Sequence, residues 1–423
     1  MRLRALALLL GTLALAACVA AEPEFYPPAA GYGAYPYGPA PLAALPRPGP
    51  PAPAGRGRVA ILLPLSGPNA DRGQGLLKAA RLALDAPGAP ALDVQDTAGT
   101  PDGAARAAQA AVQAGDGLIL GPLTAGETAA AAGPARAAGL PMLAFTSDPA
   151  RAEPGVWTLG LTPGQQVRRL VDAARAQGKT RFAGLLPDNE FGHAMADALT
   201  AAAGGPTVRF YSGGMAGMNT AVRDVSDYAE RRGPVEEQIR AARARDDAEG
   251  QHQAQELGRV PVPPPPFDAL LLAEIGSGLG ELGSLLPYYD VGPQQVKIMG
   301  PALWAAASAR AGAAGFLDGA WYAAPDPAAR SGFEQGFAAK YGGPPPPLSD
   351  LAYDAASLAR VAMAQQGGGL VPSLTRPEGF SGADGVFVLG ADGHVRRGLA
   401  VFEIQHGTPA IVDPAPHSLA PGA

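Results

Sequence analysis

Short runs of aliphatic and β-branched residues alternate with segments of helical periodicity from Arg58 onward, and this alternation limits the fold more than any other feature. Val59 to Leu65 is a continuous apolar run closed by the turn cluster Ser66-Gly67-Pro68-Asn69, after which Leu76, Leu77, Ala80, Ala83 and Leu84 recur at helical spacing. The same beat returns at Leu92 to Val94, Gly117 to Leu120 and Pro141 to Phe145, with helices expected from Asp102 and Ala125. A second series follows: Phe182 to Leu186, Thr207 to Tyr211, Phe267 to Ala273 and Val296 to Met299. Strands that are apolar throughout rather than alternating are covered on both faces, so the pattern predicts an α/β protein with two parallel sheets, helices on both faces of each. A chain of 423 residues is long enough for two such bodies. Open parallel sheets bind at the carboxyl ends of their strands, which is where functional residues are expected.

The stretch before Arg58 has another character. Arg2 and Arg4 precede an apolar run from Ala5 to Leu15, and Leu15-Ala16-Ala17-Cys18 ends it at the only cysteine. About ten apolar residues are too few to span a bilayer. The pattern resembles a bacterial lipoprotein signal over 1–17, with Cys18 lipidated, and Val19 after the cysteine implies outer-membrane sorting. Residues 18–57 form the expected tether, since eleven prolines lie between Glu22 and Gly57 and few aliphatic side chains are there to bury. At about 3.1 Å per residue, its 36 positions from Glu22 to Gly57 extend to roughly 110 Å.

Net charge is −6 with 32 basic residues spread thinly, which argues against nucleic-acid binding and against a polybasic membrane patch. The charged stretch 222–258, ending in Pro263-Pro264-Pro265-Pro266, is expected as an exposed helical insertion. Gly382-Ala383-Asp384-Gly385 and Gly390-Ala391-Asp392-Gly393 punctuate short β runs and predict hairpin turns. Chemistry is hard to find. His193, His252, His394, His406 and His417 fall in no metal spacing, and neither a nucleophile elbow nor a Walker A motif is present. Asp188, Glu190 and His193 cluster at a strand end, where a helix cap with its first turn is the simpler expectation than a metal or acid–base site. Gly278-Leu279-Gly280-Glu281-Leu282-Gly283 is a literal G-x-G-x-x-G, but it lies late in the second series. The next strand ends in Gly300-Pro301-Ala302 without the acidic residue a ribose needs, so a dinucleotide is not expected. No cofactor, metal or catalytic residue is assigned.

Several motifs in order carry a resemblance: Leu63-Pro64-Leu65-Ser66-Gly67-Pro68, Gly121-Pro122-Leu123-Thr124, Asp188-Asn189-Glu190-Phe191-Gly192, Met299-Gly300-Pro301 and Tyr353-Asp354-Ala355. From Val59 to about Val412 the chain resembles the type I periplasmic-binding-protein fold of the leucine/isoleucine/valine-binding branch. That resemblance implies two lobes, 58–162 plus 326–372 and 163–325 plus 373–413, joined by three crossovers, with 414–423 as a tail. It also implies a cleft that closes on a small ligand by hinge bending. Cleft-lining candidates in the first lobe are Ser66, Asn69, Thr124, Ala125, Thr146 and Ser147. In the second lobe they are Asp188, Phe191, Glu274, Ser277 and Ala302.

Two departures bear on the ligand. Amino-acid-binding relatives carry a small hydroxyl where this chain has Ala125, and an acidic partner for the ligand ammonium where it has Ala302. Phe191 keeps a capping ring, Ser147 keeps a hydroxyl, and Glu274 is the candidate substitute for the missing acid. The lipobox, low-complexity stretch, charged insertion and proline-rich lead into Phe267-Asp268-Ala269-Leu270-Leu271-Leu272 are similar to the penicillin-binding protein activator lipoproteins. The resemblance therefore implies a non-catalytic envelope lipoprotein, held to the membrane by a lipid and touching a peptidoglycan synthase. The alternative it leaves open is the solute receptor of an importer permease, with an amino acid or related small molecule in the cleft.

Overall fold

The computed structural model describes residues 57–307, 315–364 and 369–420. Cys18 and almost all of the tether lie outside the described residues. The first part runs β1 (Arg58–Leu63), α1 (Ala70–Ala83), β2 (Ala91–Asp96), α2 (Pro101–Ala114), β3 (Ile119–Leu120), α3 (Ala125–Ala137), β4 (Met142–Ala144) and β5 (Val156–Thr158). The second runs α4 (Pro163–Ala176), β6 (Phe182–Pro187), α5 (Glu190–Ala203), β7 (Thr207–Tyr211), α6 (Gly214–Val225), α7 (Tyr228–Arg243), α8 (Ala248–Gly258) and β8 (Ala269–Leu272). It continues through α9 (Ser277–Tyr288), β9 (Lys297–Gly300), α10 (Trp304–Ala307) and β10 (Trp321–Ala324). The return comprises α11 (Pro327–Tyr341), α12 (Ser349–Ala364), α13 (Leu370–Leu374), β11 (Phe380–Gly382), β12 (Gly385–Leu389), β13 (Val395–Arg397), β14 (Ala400–Gln405) and β15 (Thr408–Asp413).

The first sheet has the order β2-β1-β3-β4-β5 and is parallel throughout. In the second sheet, β7-β6-β8-β9-β10 repeats that order with parallel pairing, and the antiparallel β14-β15 hairpin adds to the β10 edge. Each sheet therefore has one switch point, between β1 and β3 in the first and between β6 and β8 in the second. Crevices open there because the connections depart to opposite faces.

Side-chain alternation divides the buried residues accordingly. Val59, Ile61 and Leu63 of β1 face a core built with α1 and α12, while Ala60 and Leu62 face α2 and α3. In β8, Leu270 and Leu272 join the core containing α6 and α9, and Ala269 and Leu271 join the one containing α4 and α5. Both sheets are thus covered on both faces, and the protein is two-lobed.

Close approach of helix to strand end is repeated in both lobes. A Cβ on Gly73 of α1 would strike the Pro64 carbonyl, and one on Gly192 of α5 would strike the Pro187 carbonyl. These helices start tight against the loops that carry the candidate site.

Three differences from the sequence-based expectation have physical causes. Residues 374–397 pack on the first lobe: Leu374, Phe380, Ala383, Phe387, Leu389 and Val395 are buried in its core, and Trp157 Nε1 donates to the Gly390 carbonyl at 2.7 Å. The chain passes to the second sheet only at Gly398-Leu399, so the change expected at 373 lies some two dozen residues too early. The strands β5 and β10 were not expected, because a few residues such as Val156-Trp157-Thr158 leave no periodicity to recognise. The charged excursion starts later than expected, since Val222 and Val225 of α6 are core residues. Its helices α7 and α8 share a small cluster of their own: Ile239, Ala242 and Ala254. The Asp384 and Asp392 turns do join antiparallel strands, β11 to β12 and β12 to β13.

Candidate functional site

Both sets of strand ends converge on the first crossover. Gly160 donates its amide to the Thr146 carbonyl and leaves no room for a Cβ beside Ser147. Six residues on, Gln166 at the start of α4 accepts from the Ala302 amide at 2.8 Å. The loop after β4 and the loop after β9 are therefore held to one short segment of chain. The candidates also occupy the switch points: Ser66 and Thr124 follow β1 and β3, and Asp188 and Glu274 follow β6 and β8.

Most of the polar candidates are engaged within the protein. The Ser66 hydroxyl donates to Asp96 Oδ2 at 2.6 Å, and the amides of Leu65, Ser66 and Ala98 converge on Asp96 Oδ1. Burial would raise the Asp96 carboxyl, but these donors outweigh it and hold the group below the usual carboxylate range. Thr124 caps α3 in a reciprocal box with Glu127: its hydroxyl accepts from the Glu127 amide at 3.3 Å and contacts Glu127 Oε2 at 2.8 Å, which also accepts from the Thr124 amide at 3.0 Å. Glu127 is fully buried and takes a further bond from Thr97. Ala125 is the first residue of α3 and offers no side-chain polar group. Thr146 is buried and accepts from the Asp148 amide at 3.1 Å. Asn69 sits in the left-handed region at φ 66° and accepts from Arg72 at 3.1 Å.

The second lobe follows the same rule. Asp188 is exposed and lies 2.8 Å from His193 Nε2, while Asn189 caps α5 through the Gly192 amide. Phe191 is half-buried at the margin of the second-lobe core that also takes Leu161. Glu274 does not stand free for a ligand cation. Its Oε2 accepts from the Tyr211 hydroxyl at 2.5 Å, its Oε1 lies against Gly278 at the start of α9, and its carbonyl accepts from Trp304 Nε1 at 2.9 Å. Burial, with Glu274 beside it, pushes the Tyr211 hydroxyl well above its ordinary value. Ser147 and Ser277 remain, both exposed and with hydroxyls that have no partner among the described residues.

Asp96, Gln166 and Tyr211 were not foreseen as site residues. Nothing local marks them, since their partners lie 30, 136 and 63 positions away. Only the Glu127 partnership was open to sequence, because Thr-x-x-Glu is a capping signature. The glycines of the G-x-G-x-x-G lie in α9, where Gly283 packs against the Phe316 ring. Among the described residues no group of three His, Cys, Asp or Glu side chains is placed to hold a metal, and no helix is long and apolar enough to cross a membrane.

A family model described as periplasmic binding protein matches residues 57–409. The chain belongs to that family. Solved structures share its fold. One is a putative branched-chain amino acid ABC transporter protein from Rhodospirillum rubrum, with TM-score 0.64, 18% identity, and coverage of 84% of this chain and 99% of that one. Another is the C-domain of LpoA from Haemophilus influenzae, described as a regulator of PBP1A, with TM-score 0.59, 19% identity, and coverage of 84% and 99%. Full-length LpoA from the same organism matches with TM-score 0.60 and 18% identity over 84% of this chain but only 59% of its own length. No curated protein matches. Identities this low establish the fold alone, and family membership rests on the match over residues 57–409.

Proposed function

We propose that the protein is a non-catalytic envelope lipoprotein that acts by protein contact, as an activator of a penicillin-binding peptidoglycan synthase. The observation that carries this reading is the internal satisfaction of the cleft candidates. Ser66, Thr124, Thr146, Glu274 and the Ala302 amide each have a hydrogen-bond partner within the protein. An α-ammonium enclosed there would lie without a carboxylate of its own, at a cost of several kcal/mol. The fold shared with the LpoA C-domain, a regulator of PBP1A, accords with this reading, as the fold shared with the Rhodospirillum rubrum transporter protein accords with the second. In this reading Cys18 carries the lipid, the outer membrane holds it, and residues 18–57 give the two-lobed body its reach.

The second reading, a receptor that delivers a small solute to an importer permease, draws on Ser147 and Ser277. Their free hydroxyls suit an uncharged or anionic ligand better than an amino acid. Pull-down of the lipoprotein from envelope extract separates the two. Recovery of a peptidoglycan synthase supports the activator, and recovery of a permease without a synthase overturns it. A Cys18→Ser variant that still partitions with membranes like the wild type removes the lipid anchor from the proposal.

A further inference from the structure

Between the returning helices and the third crossover lies a buried charge cluster that the site does not use. Asp350 and Asp354, one turn apart on α12, meet Arg330 from α11, Asp384 from the β11–β12 turn and Arg397, the last residue of β13. Arg330 contacts Asp350 at 2.6 Å and Asp384 at 3.3 Å, and Arg397 lies 3.6 Å from Asp354 and 3.8 Å from Asp384. The side chains of Arg397 and Asp354 are 1% and 0% exposed. Glu334 of α11 faces Arg330 from outside the cluster, and the Phe387 ring lies under Arg397.

Three carboxyls against two guanidiniums leave one negative charge in excess when all are ionised, which a buried site does not tolerate. Taking up one proton removes the excess. Burial, with the Asp384 charge beside it, pushes Asp350 well above its ordinary value, which makes it the first carboxyl of the cluster to hold a proton. A second proton goes to Asp354, which burial pushes up to about 6 against the pull of Arg397.

Arg397 is where that second proton is felt. It makes no hydrogen bond to Asp354 or Asp384. Among the described residues its guanidinium donates only to the Leu159 carbonyl in the first crossover, at 2.9 Å. Asp354 Oδ2, Asp384 Oδ1, Arg330 Nε and Arg397 Nη1 are all buried without hydrogen-bond partners. Hydrogen bonds from Arg330 to Asp350, from the Ala383 amide to Asp354 Oδ1 and from Arg397 to the Leu159 carbonyl hold part of the cluster, while Arg397 is drawn to Asp354 and Asp384 by charge alone, so a change in charge there can rearrange it. Gly398 follows directly and leads into the second sheet.

We propose that this cluster is a proton-operated latch on the hinge. With Asp354 ionised, Arg397 is held in place and ties the first crossover to the third; with Asp354 protonated the tie is released and the lobes move more freely against each other.

Hydrogen exchange of the full-length protein, corrected for intrinsic rates and compared at pH 7.5 and pH 5, tests the latch. The reporters are the amides of Leu159, Gly160 and Gly398, which bond to Ala144, Thr146 and Val386, and the control is Ile119 inside the first sheet. A coupling of one pKa unit between latched and released states gives about a tenfold loss of protection at the reporters in acid, with the control unchanged. Asp354→Asn, which mimics the protonated carboxyl, is expected to show the low value at both pH values. Equal reporter protection at the two pH values in the wild type, or an Asp354→Asn protein that keeps the wild-type response, overturns the proposal. The wild-type comparison decides alone if the variant does not fold.

Discussion

The Tyr211 hydroxyl donates to Glu274 Oε2 at 2.5 Å, joining the ends of β7 and β8 across the second lobe's switch region. One hydrogen bond thus takes the only acidic side chain nominated to receive a ligand ammonium and turns it inward.

Tyr211→Phe removes the donor and keeps the ring. Hydrogen bonds to ionised groups contribute about 1.5–3 kcal/mol, so urea denaturation is expected to show a loss in that range. Calorimetry with leucine, expected to be silent in the wild type, is the companion measurement. Heat of binding in the variant alone indicates that Glu274 has turned to face the ligand space.

Gly192→Ala is expected to destabilise, against helix propensity, which favours alanine by roughly 1 kcal/mol. The added Cβ would strike the Pro187 carbonyl, and the shift needed to relieve it costs about 1–3 kcal/mol. A lower thermal midpoint by calorimetry bears this out; a higher one shows that the strand end yields easily.

Arg231 pins the α7–α8 excursion to the second lobe through the carbonyls of Pro263, Ser226, Tyr289 and Asp290. Because those helices share contacts mainly with each other, Arg231→Ala should leave the lobes folded and loosen the arm. Limited proteolysis reads the difference: cleavage between 226 and 266 is expected to accelerate by an order of magnitude, as about 2 kcal/mol of anchoring is lost, with the two cores still resistant.

Asp354 sets a pH dependence whose sign is opposite to that of a salt-bridged surface carboxylate. Its folded value, about 6, lies above the ordinary 3.8, so the folded state binds the extra proton in that window. Stability from this group is fully present below about pH 4 and declines as pH rises toward 6. Urea midpoints measured across pH 4–7 are expected to lose this falling component in Asp354→Asn.

Elements with enough residues to show a period were legible: β1, β6 and β8 as apolar runs, α1 by its recurring leucines and alanines, and the Asp384 and Asp392 turns by chemistry. Val156-Trp157-Thr158 and Trp321-Tyr322-Ala323-Ala324 were not, because strands this short are defined by their neighbours. The lobe assignment of 374–397 was hidden for a related reason. Phe380 and Phe387 are apolar in either lobe, and only the packing chooses the core they join.

The sequence by itself determined the alternation of strands and helices, the helix cap after β6 and the Asp-Gly turns, each a pattern within a few residues, and its ordered motifs pointed to the two-lobed family. Tertiary structure decided whether the nominated polar groups face a ligand. Asp96 claims Ser66, Tyr211 claims Glu274 and Gln166 claims the Ala302 amide, across separations of 30, 63 and 136 residues that no local pattern encodes. A polar side chain at a strand end can serve a ligand or the fold, and which it does depends on what the rest of the chain brings within hydrogen-bonding distance.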